Sequence, residues 1–344
     1  MKLRRILSLI ISALLGGLFL VLLIHLGNVN LRVTLEMLRH VSAVDFLELV
    51  SLNGLLVGLS TVKWRAIDAV LRRASDKVPS RMTVFFLSGM GMALGLILPV
   101  QLGMTAARTI GVRSYGGTLK RGTGGTVYEQ GFDLLVIVIL AGASAVAWFF
   151  HGGGWMWLAC AISSIAVALL SVRPVVRLAQ SLVRNVPDLT AQPRPRWLPE
   201  RPYQWSGRLL RGLSDLQHSG LLNLRLARRL ILLSIARFAV VVLMACQTAR
   251  AIGVHIGIWP MTAAIPFASL ANLFAVTPGG VGVNELTSAT VLKMFGIPLS
   301  IASPWAIANR ILVMFSCCVV VAASWFPLNI VGFAKIGKSR RSAL

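Results

Sequence analysis

Acidic side chains are scarce in this sequence, which has 11 Asp and Glu against 34 Lys and Arg in 344 residues. Charged residues of both signs make up only 13% of the chain, whereas hydrophobic residues make up 56%. A soluble domain carries about 25% charged residues, because its surface must be hydrated. The shortage of charge therefore excludes a soluble globular protein and indicates an integral membrane protein.

The sequence also lacks the common catalytic motifs. It contains no H-E-x-x-H, no G-x-S-x-G and no P-loop, so an enzyme would depend on Glu129, Asp133 and Glu285 alone. The cysteines lie within apolar runs and without metal-ligand spacing, which is typical of small hydrophobic side chains. They are Cys160, Cys246, Cys317 and Cys318. We expect a protein that is not an enzyme and that holds no metal or cofactor.

The excess of basic residues gives a formal net charge of +23. A nucleic-acid-binding protein gathers its basic side chains on one solvated face, but in this chain they fall between hydrophobic runs. We therefore expect no nucleic-acid partner. The membrane itself, and anionic phospholipid within it, are the expected partners.

Long apolar runs predict the membrane spans, since a helix needs about 20 residues to cross the hydrocarbon. A cleaved signal peptide would resemble the first run, but that run is long and no A-x-A-like site follows it. The predicted full crossings are residues 6–26, 44–62, 127–150, 155–172, 230–249 and 300–325. Basic segments at 63–81, 108–121, 173–228 and 335–341 favour the cytoplasmic side. Both termini are then cytoplasmic, in a bacterial-type inner membrane.

Two further apolar runs are interrupted by proline and glycine. The run 82–102 contains Pro99, and the run 261–293 contains Pro278 with Gly279, Gly280 and Gly282. Proline removes a backbone donor and glycine permits positive φ, so a helix breaks at each place. We predict that each chain segment enters the membrane, breaks and returns to the same side. Irregular backbone at membrane depth must be buried or line a cavity, so both breaks are candidate sites.

These spans define an all-α polytopic membrane protein with about six full transmembrane helices plus two broken, re-entrant hairpins in an inverted repeat. Pro99 precedes Glu129 by nearly the same spacing as Pro278 precedes Asn309. The predicted units are a first half at 1–172 with hairpin 82–121 and a second half at 229–332 with hairpin 261–296. A basic cytoplasmic linker at 173–228 with an amphipathic helix joins them, and 333–344 is a basic tail.

Ionisable residues inside the spans are candidates for the site, because a charge at membrane depth costs roughly 2.5 to 3.5 kcal/mol on insertion scales. Glu285 is expected to pair with Arg310, as a functional or a purely structural salt bridge. Glu129 and Asp133 lie one helical turn apart and need a cation, for which Arg108 and Arg121 are both candidates.

Arg237 is either a phosphate ligand or a snorkelling side chain, and Asn272 either a ligand or a helix-helix hydrogen-bonding residue. The predicted site for a lipid headgroup and its gate comprises Pro99, Arg108, Glu129, Asp133, Arg237, Asn272, Pro278, Gly279, Gly280, Gly282, Glu285 and Arg310.

The motif from Thr277 to Glu285, T-P-G-G-V-G-V-N-E, followed by Arg310, resembles the signature of the lysylphosphatidylglycerol synthetase transmembrane family. The segment Leu98 to Gly103 with Arg108, Glu129 and Asp133 resembles that family's first-half motif. Met104 and Thr105 stand where the family often has an acid, and Gln130 where it often has an arginine. The likeness extends from residue 6 to about residue 332.

The resemblance implies a flippase-like protein that moves an anionic, aminoacylated or glycosylated lipid between leaflets. The chain stops at Leu344, shortly after the last predicted span. We therefore expect a separate lipid-modifying enzyme to act as its partner. Two alternatives are an enzyme or enzyme partner in polyprenyl-linked glycolipid or hopanoid metabolism, and a non-transporting membrane scaffold.

Overall fold

A computed structural model describes residues 14, 17–27, 31–72, 78–98, 100–150, 153–184, 221, 223–275 and 277–341. All regular secondary structure in these ranges is helical. The helices are α1 Gly17–Leu26, α2 Leu31–Arg39, α3 Ala43–Leu71, α4 Arg81–Ile97, α5 Val100–Ser114 and α6 Leu119–Phe149. They continue with α7 Gly154–Arg184, α8 Leu224–Ala251, α9 Ile258–Phe274, α10 Val283–Met294 and α11 Leu299–Arg341. A 3-10 turn, Pro278–Gly280, lies between α9 and α10.

Five of these helices, α3, α6, α7, α8 and α11, are long and apolar enough to cross a membrane. They contain five of the six predicted crossings, and the described part of the first predicted crossing is α1. A multi-pass membrane protein follows from their length and composition. The linker at 185–220, which includes most of the predicted amphipathic helix, lies outside the described residues.

Several helices continue past the apolar runs that predict the crossings. Helix α3 extends to Leu71, so Lys63 and Arg65 are helical and do not belong to a cytoplasmic loop. Helix α6 already begins at Leu119, α8 at Leu224, and α11 continues through the predicted tail to Arg341. No glycine or proline interrupts α3 after Gly58, so nothing in its sequence stops the helix at the edge of the apolar run.

Ion pairs join the two ends of α3 to different neighbours. At its start, Arg250 of α8 lies 3.4 Å from the Asp45 carboxylate and 2.7 Å from that of Glu48. At its end, the Asp68 carboxylate is paired with Arg121 of α6. Because the start of α3 meets the end of α8, these two helices run antiparallel, and the start of α6 lies beside the end of α3.

The main hydrophobic core lies among α3, α8, α9, α10 and α11. Leu49, Met261 and Leu292 are fully buried in it. Trp305 of α11 fills the same core and donates its indole N–H to the carbonyl oxygen of Ala245 at 3.1 Å. A buried Trp requires such a partner, so this bond fixes α11 against α8. A second core cluster, which includes Val136, Leu140, Trp157 and Ile231, joins α6, α7 and α8.

Two helical hairpins are interrupted where the sequence predicts a break. Helix α4 has 17 residues and α5 has 15, and Leu98 between them is extended at φ −99° and ψ 164°. Extended backbone is the preferred state of a residue that precedes proline. Pro99 itself lies outside the described residues. In the second hairpin α9 has 17 residues and α10 has 12, so each of the four helices falls short of the ~20 residues of a full crossing.

Helices α4 and α5 approach each other closely at Gly103. A Cβ atom at this position would lie 2.4 Å from the backbone nitrogen of Gly95 and 2.7 Å from the carbonyl carbon of Leu94. Backbone atoms cannot move aside as a flexible side chain can. The absence of a side chain at Gly103 is therefore what allows the first hairpin to close.

We expect Gly103→Ala to lower the thermal unfolding temperature of the detergent-solubilised protein, since overpacking costs about 1 to 3 kcal/mol. Gly124→Ala is the matched control, because Gly124 is also helical and has no heavy atom within 4 Å of an added Cβ. That control should keep or raise the unfolding temperature, because alanine favours helix by about 1 kcal/mol over glycine. Equal stability of the two variants would contradict the close approach.

Candidate functional site

The two chain breaks contact each other directly. The backbone N–H of Gly279 donates to the carbonyl oxygen of Leu98 at 3.2 Å. The guanidinium of Arg310 donates to the carbonyl oxygen of Gly279 at 2.6 Å. The backbone N–H and the carbonyl oxygen of Gly279 thus both have hydrogen-bond partners, Leu98 and Arg310. Such pairing is required of irregular backbone that water does not reach.

Glycine is required at Gly279 for two reasons. Its φ is 58°, in the left-handed region that glycine enters without steric cost. In addition, a Cβ atom there would lie 2.2 Å from the carbonyl oxygen of Leu96. Gly280 is similarly confined, because a Cβ atom would lie 1.6 Å from the side-chain oxygen of Asn272.

Glu285 and Arg310 form the predicted ion pair beside this contact. The Arg310 Nε lies 3.7 Å from a Glu285 carboxylate oxygen, and the Glu285 side chain is almost fully buried. The other carboxylate oxygen accepts a hydrogen bond of 2.6 Å from the backbone N–H of Gly282. Glu285 therefore both caps the start of α10 and balances the charge of the arginine that holds Gly279.

A cavity of about 560 Å³ lies between the two halves of the chain. Five of the predicted site residues line it: Arg108, Glu129, Asp133, Arg237 and Asn272. The other described ones, Gly279, Gly280, Gly282, Glu285 and Arg310, lie at the breaks and are not part of the cavity wall. Of Pro278 only the backbone is described, and it forms the start of the 3-10 turn.

Of the two predicted candidates, Arg108 and Arg121, it is Arg108 that pairs with Glu129. Its two terminal nitrogens contact both Glu129 carboxylate oxygens, and one of them donates to the Ser60 hydroxyl at 2.9 Å. The guanidinium carbon also lies 4.8 Å from the centroid of the Trp64 ring, a cation–π distance. The Arg108 side chain is only 1% exposed, so this pair is an enclosed part of the cavity wall.

Asp133 is held by two cations from two other helices. Lys63 Nζ lies 2.5 Å from one of its carboxylate oxygens, and an Arg237 terminal nitrogen lies 2.7 Å from the other. Lys63 also donates to the Ser234 hydroxyl at 3.0 Å. The assignment of Lys63 to a solvated cytoplasmic loop is thus wrong, since its side chain is fully buried among α3, α6 and α8.

Arg121, the second candidate partner for Glu129 and Asp133, pairs elsewhere. Its guanidinium contacts Asp68 at the end of α3, and both side chains are buried. Arg108 and Arg121, the arginines of the basic segment 108–121 that pair with carboxylates, are thus both buried. Each arginine lies in a helix and finds a carboxylate on a neighbouring one, because an unpaired charge would be costly there.

Sequence reasoning missed Lys63, Ser60, Ser234, Asn284 and Asn309 as residues of this region. Lys63 gave no signal, because a basic residue after an apolar run is assigned to the cytoplasmic side by its position in the chain, and its partners lie on α6 and α8. The uncharged residues gave no signal, because serine and asparagine within apolar spans most often bond to neighbouring helices.

Each half of the chain has one ion pair between the helix after its break and the next helix. In the first half the arginine, Arg108, is on α5 and the carboxylate, Glu129, is on α6. In the second half the carboxylate, Glu285, is on α10 and the arginine, Arg310, is on α11. The two pairs occupy corresponding places with the order of charge reversed.

The contact of the two breaks makes a prediction about Gly279. Gly279→Ala should destabilise the protein by the strain of positive φ, about 1 to 2 kcal/mol, plus the clash with Leu96. Gly253→Ala isolates the first effect, because Gly253 also has positive φ, 72°, but no heavy atom within 4 Å of an added Cβ. Thermal unfolding in detergent compares the two variants. Equal losses of stability would show that the breaks do not touch.

The enclosed Arg108–Glu129 pair predicts strong coupling in a double-mutant cycle. Arg108→Leu or Glu129→Leu alone should cost about 3 to 5 kcal/mol, because each leaves an uncompensated buried charge. The double variant should cost much less than their sum. Arg250→Leu and Glu48→Leu form the control cycle, since this pair is half-exposed and its coupling should not exceed about 1 kcal/mol. Additive losses at Arg108 and Glu129 would contradict the pair.

Comparison with known proteins agrees with this helical architecture. A family model described as the lysylphosphatidylglycerol synthase TM region matches residues 5–322, which is nearly the whole chain. The matched region contains α1 to α10, both chain breaks and every charged residue of the cavity. No curated protein and no solved structure matches the chain. The protein therefore belongs to the lysylphosphatidylglycerol synthase transmembrane-region family.

Proposed function

We propose that this protein moves an anionic phospholipid between leaflets by passing its headgroup through the cavity between the two halves. The observation that carries the proposal is the solvent exposure of the Arg237 side chain. Its side chain is 26% exposed, whereas those of Lys63 and Arg108 are 0% and 1% exposed. Lys63, Arg108, Arg237, Glu129 and Asp133 form one cluster of charged side chains. Arg237 is thus the cation of this cluster that a ligand in the cavity can reach.

The charge of the cluster suits a phosphate. Three cations, Lys63, Arg108 and Arg237, face two carboxylates, Glu129 and Asp133, which leaves one positive charge in excess. One terminal nitrogen of Arg237 lies 2.7 Å from Asp133, and the side chain is 26% exposed. A phosphate can bind the exposed part of the guanidinium and share it with Asp133, since arginine binds phosphate through several N–H groups at once.

The apolar part of the cavity wall suits the remainder of a lipid. Leu56, Ile137, Phe238, Val241 and Val313 line the same space as the charged side chains. A soluble ion needs no such surface, whereas the glycerol backbone and first methylenes of a lipid gain by leaving water. A largely apolar wall with a reachable cationic group is what an anionic amphiphile requires.

The paired breaks support a gate in this mechanism. Hydrogen bonds from Gly279 to Leu98 and from Arg310 to Gly279 hold the two hairpins together. We propose that the hairpins are re-entrant, that they form an inverted repeat, and that separation at this contact opens the cavity to the second leaflet. The reversed ion pairs at corresponding places in the two halves support the repeat, because inverted repeats of this kind are frequent in secondary transporters. We place both termini in the cytoplasm of an inner membrane, on the basic segments of the sequence.

The proposal predicts that Arg237→Gln slows lipid exchange in proteoliposomes, because glutamine has no charge with which to hold the phosphate. A fluorescent phosphatidylglycerol whose outer-leaflet label is bleached by dithionite measures the exchange. Losing one charge-assisted contact of about 1.5 to 3 kcal/mol should lower the rate by roughly tenfold to a hundredfold.

Arg250→Gln is the matched control, since Arg250 lies on the same helix, α8, but pairs with Asp45 and Glu48 outside the cavity. Its exchange rate should equal that of the wild type. Size-exclusion profiles and unfolding temperatures identify variants that fail to fold. A folded Arg237→Gln protein with an unchanged rate would exclude this cavity as the route, whereas wild-type exchange no faster than that of protein-free liposomes would favour a scaffold.

A further inference from the structure

The charged cluster consists of one closed pair and one unequal group of three. Arg108 contacts both carboxylate oxygens of Glu129, so this pair is neutral and complete. Asp133, by contrast, faces two cations, Lys63 at one carboxylate oxygen and Arg237 at the other. The positive charge in excess therefore belongs to the group of Lys63, Asp133 and Arg237, here called the charge triad.

Lys63 lies behind the wall of the cavity. Asp133 and Arg237 line the cavity, but Lys63 does not. The Lys63 side chain is fully buried, and its ammonium group donates to Asp133 at 2.5 Å and to the Ser234 hydroxyl at 3.0 Å. Glu129 lies 3.9 Å away, beyond hydrogen-bonding distance. An effect of Lys63 on a ligand in the cavity must therefore act through Asp133.

Burial determines which cation of the charge triad can change its partner. Lys63 has no exposed surface, whereas Arg237 is 26% exposed. An anion that enters the cavity thus competes with Asp133 for Arg237 alone. When Arg237 turns to that anion, Asp133 keeps Lys63 as its counterion, so no carboxylate is left uncompensated inside the membrane protein. Without Lys63 the same step would leave the Asp133 charge unpaired, and Arg237 would stay bound to Asp133.

We propose that Lys63 is a positioning residue for lipid binding, which neutralises Asp133 from behind the cavity wall and so leaves the excess positive charge on Arg237. A phosphate takes up that charge, and Asp133 takes Arg237 back when the lipid leaves. This inference rests on the proposed function, because it names the residue that makes Arg237 available to the headgroup.

Two single variants should change phosphate binding in opposite directions. Lys63→Met removes the excess charge and ties Arg237 to Asp133, whereas Asp133→Asn removes the competing carboxylate. Native mass spectrometry of the purified protein in detergent measures both effects with an equimolar mixture of phosphatidylglycerol and diacylglycerol of matched chains. Diacylglycerol lacks the phosphate, so the ratio of the two retained lipids reports the charge contact. The ratio is read within one sample and does not depend on how much of a variant folds.

We expect the ratio of phosphatidylglycerol to diacylglycerol to fall about tenfold in Lys63→Met and to rise about tenfold in Asp133→Asn, the effect of one unit charge under partial screening. The double variant should return close to the wild-type ratio, because one positive charge is again in excess. A ratio that falls in both single variants, or that changes in neither, overturns the inference. If Lys63→Met does not fold, a ratio in Asp133→Asn at or below that of the wild type overturns it.

Asp68 and Arg121 form the matched control pair. They join the same two helices, α3 and α6, and both side chains are buried, but neither lines the cavity. Asp68→Asn and Arg121→Met should lower the unfolding temperature, since each leaves an uncompensated buried charge. Both should nevertheless keep the wild-type ratio of retained lipids. Shifts equal to those of the Lys63 and Asp133 variants would overturn the assignment to the charge triad.

The exchange assay in proteoliposomes tests the return of Arg237 to Asp133. Asp133→Asn should exchange phosphatidylglycerol more slowly than the wild type although it retains this lipid more strongly, because no carboxylate displaces the phosphate from Arg237. A loss of folded protein cannot produce stronger retention with slower exchange. Faster exchange in this variant would contradict the role of Asp133 in release.

Arg237→Gln separates this inference from the function on which it rests. If the proposed function holds, that variant has a lower ratio of phosphatidylglycerol to diacylglycerol than the wild type, and an unchanged ratio means that the proposed function fails. A lower ratio in Arg237→Gln together with an unchanged ratio in Lys63→Met means that the inference alone fails.

Inorganic phosphate distinguishes a lipid headgroup from a free anion. In excess it should leave the ratio unchanged, because it lacks the chains that the apolar wall covers. A ratio that falls as inorganic phosphate is added would identify a free phosphate as the ligand and overturn the lipid assignment.

Discussion

Backbone polar groups that leave a helix inside a membrane must find partners within the protein, and the contact between the two chain breaks meets this requirement. Leu98 exposes a carbonyl oxygen where α4 ends, and Gly279 exposes an N–H where α9 has ended. Each satisfies the other in one hydrogen bond. Neither break could lie alone in hydrocarbon, where an unsatisfied group costs several kcal/mol. The position of one hairpin is thus a condition for the stability of the other.

The same constraint explains the arrangement of charge. Arg310 satisfies the Gly279 carbonyl, and its own charge then requires Glu285. Arg108 and Lys63 lie almost fully buried and therefore require Glu129 and Asp133. Such pairs contribute little net stability over apolar residues of the same volume. Under the proposed function their role is binding, and the partly exposed side chain of Arg237 is where the network takes up a phosphate.

The sequence was sufficient for the breaks and for part of the charge pairing. Proline and glycine have local effects on backbone conformation, so the breaks near Leu98 and Gly279 could be placed from residue type alone. Glu285 and Arg310 could be paired because few other charges lie near them in the sequence. Lys63 could not be placed, because the positive-inside rule assigns basic residues by their position along the chain. Whether a lysine meets a carboxylate depends on how α3 packs against α6, which is a tertiary property.

The reversed order of the two ion pairs has a consequence for how the halves divide their work. In the first half the pair lines the cavity, because its arginine is on α5 and contacts Ser60 and Trp64 of α3. In the second half the arginine is on α11 and reaches the Gly279 carbonyl instead. An arginine thus lies at the cavity in the first half and at the chain break in the second half. Under the proposed function, binding and gating are separate tasks of the two halves, and the contact between their breaks couples them.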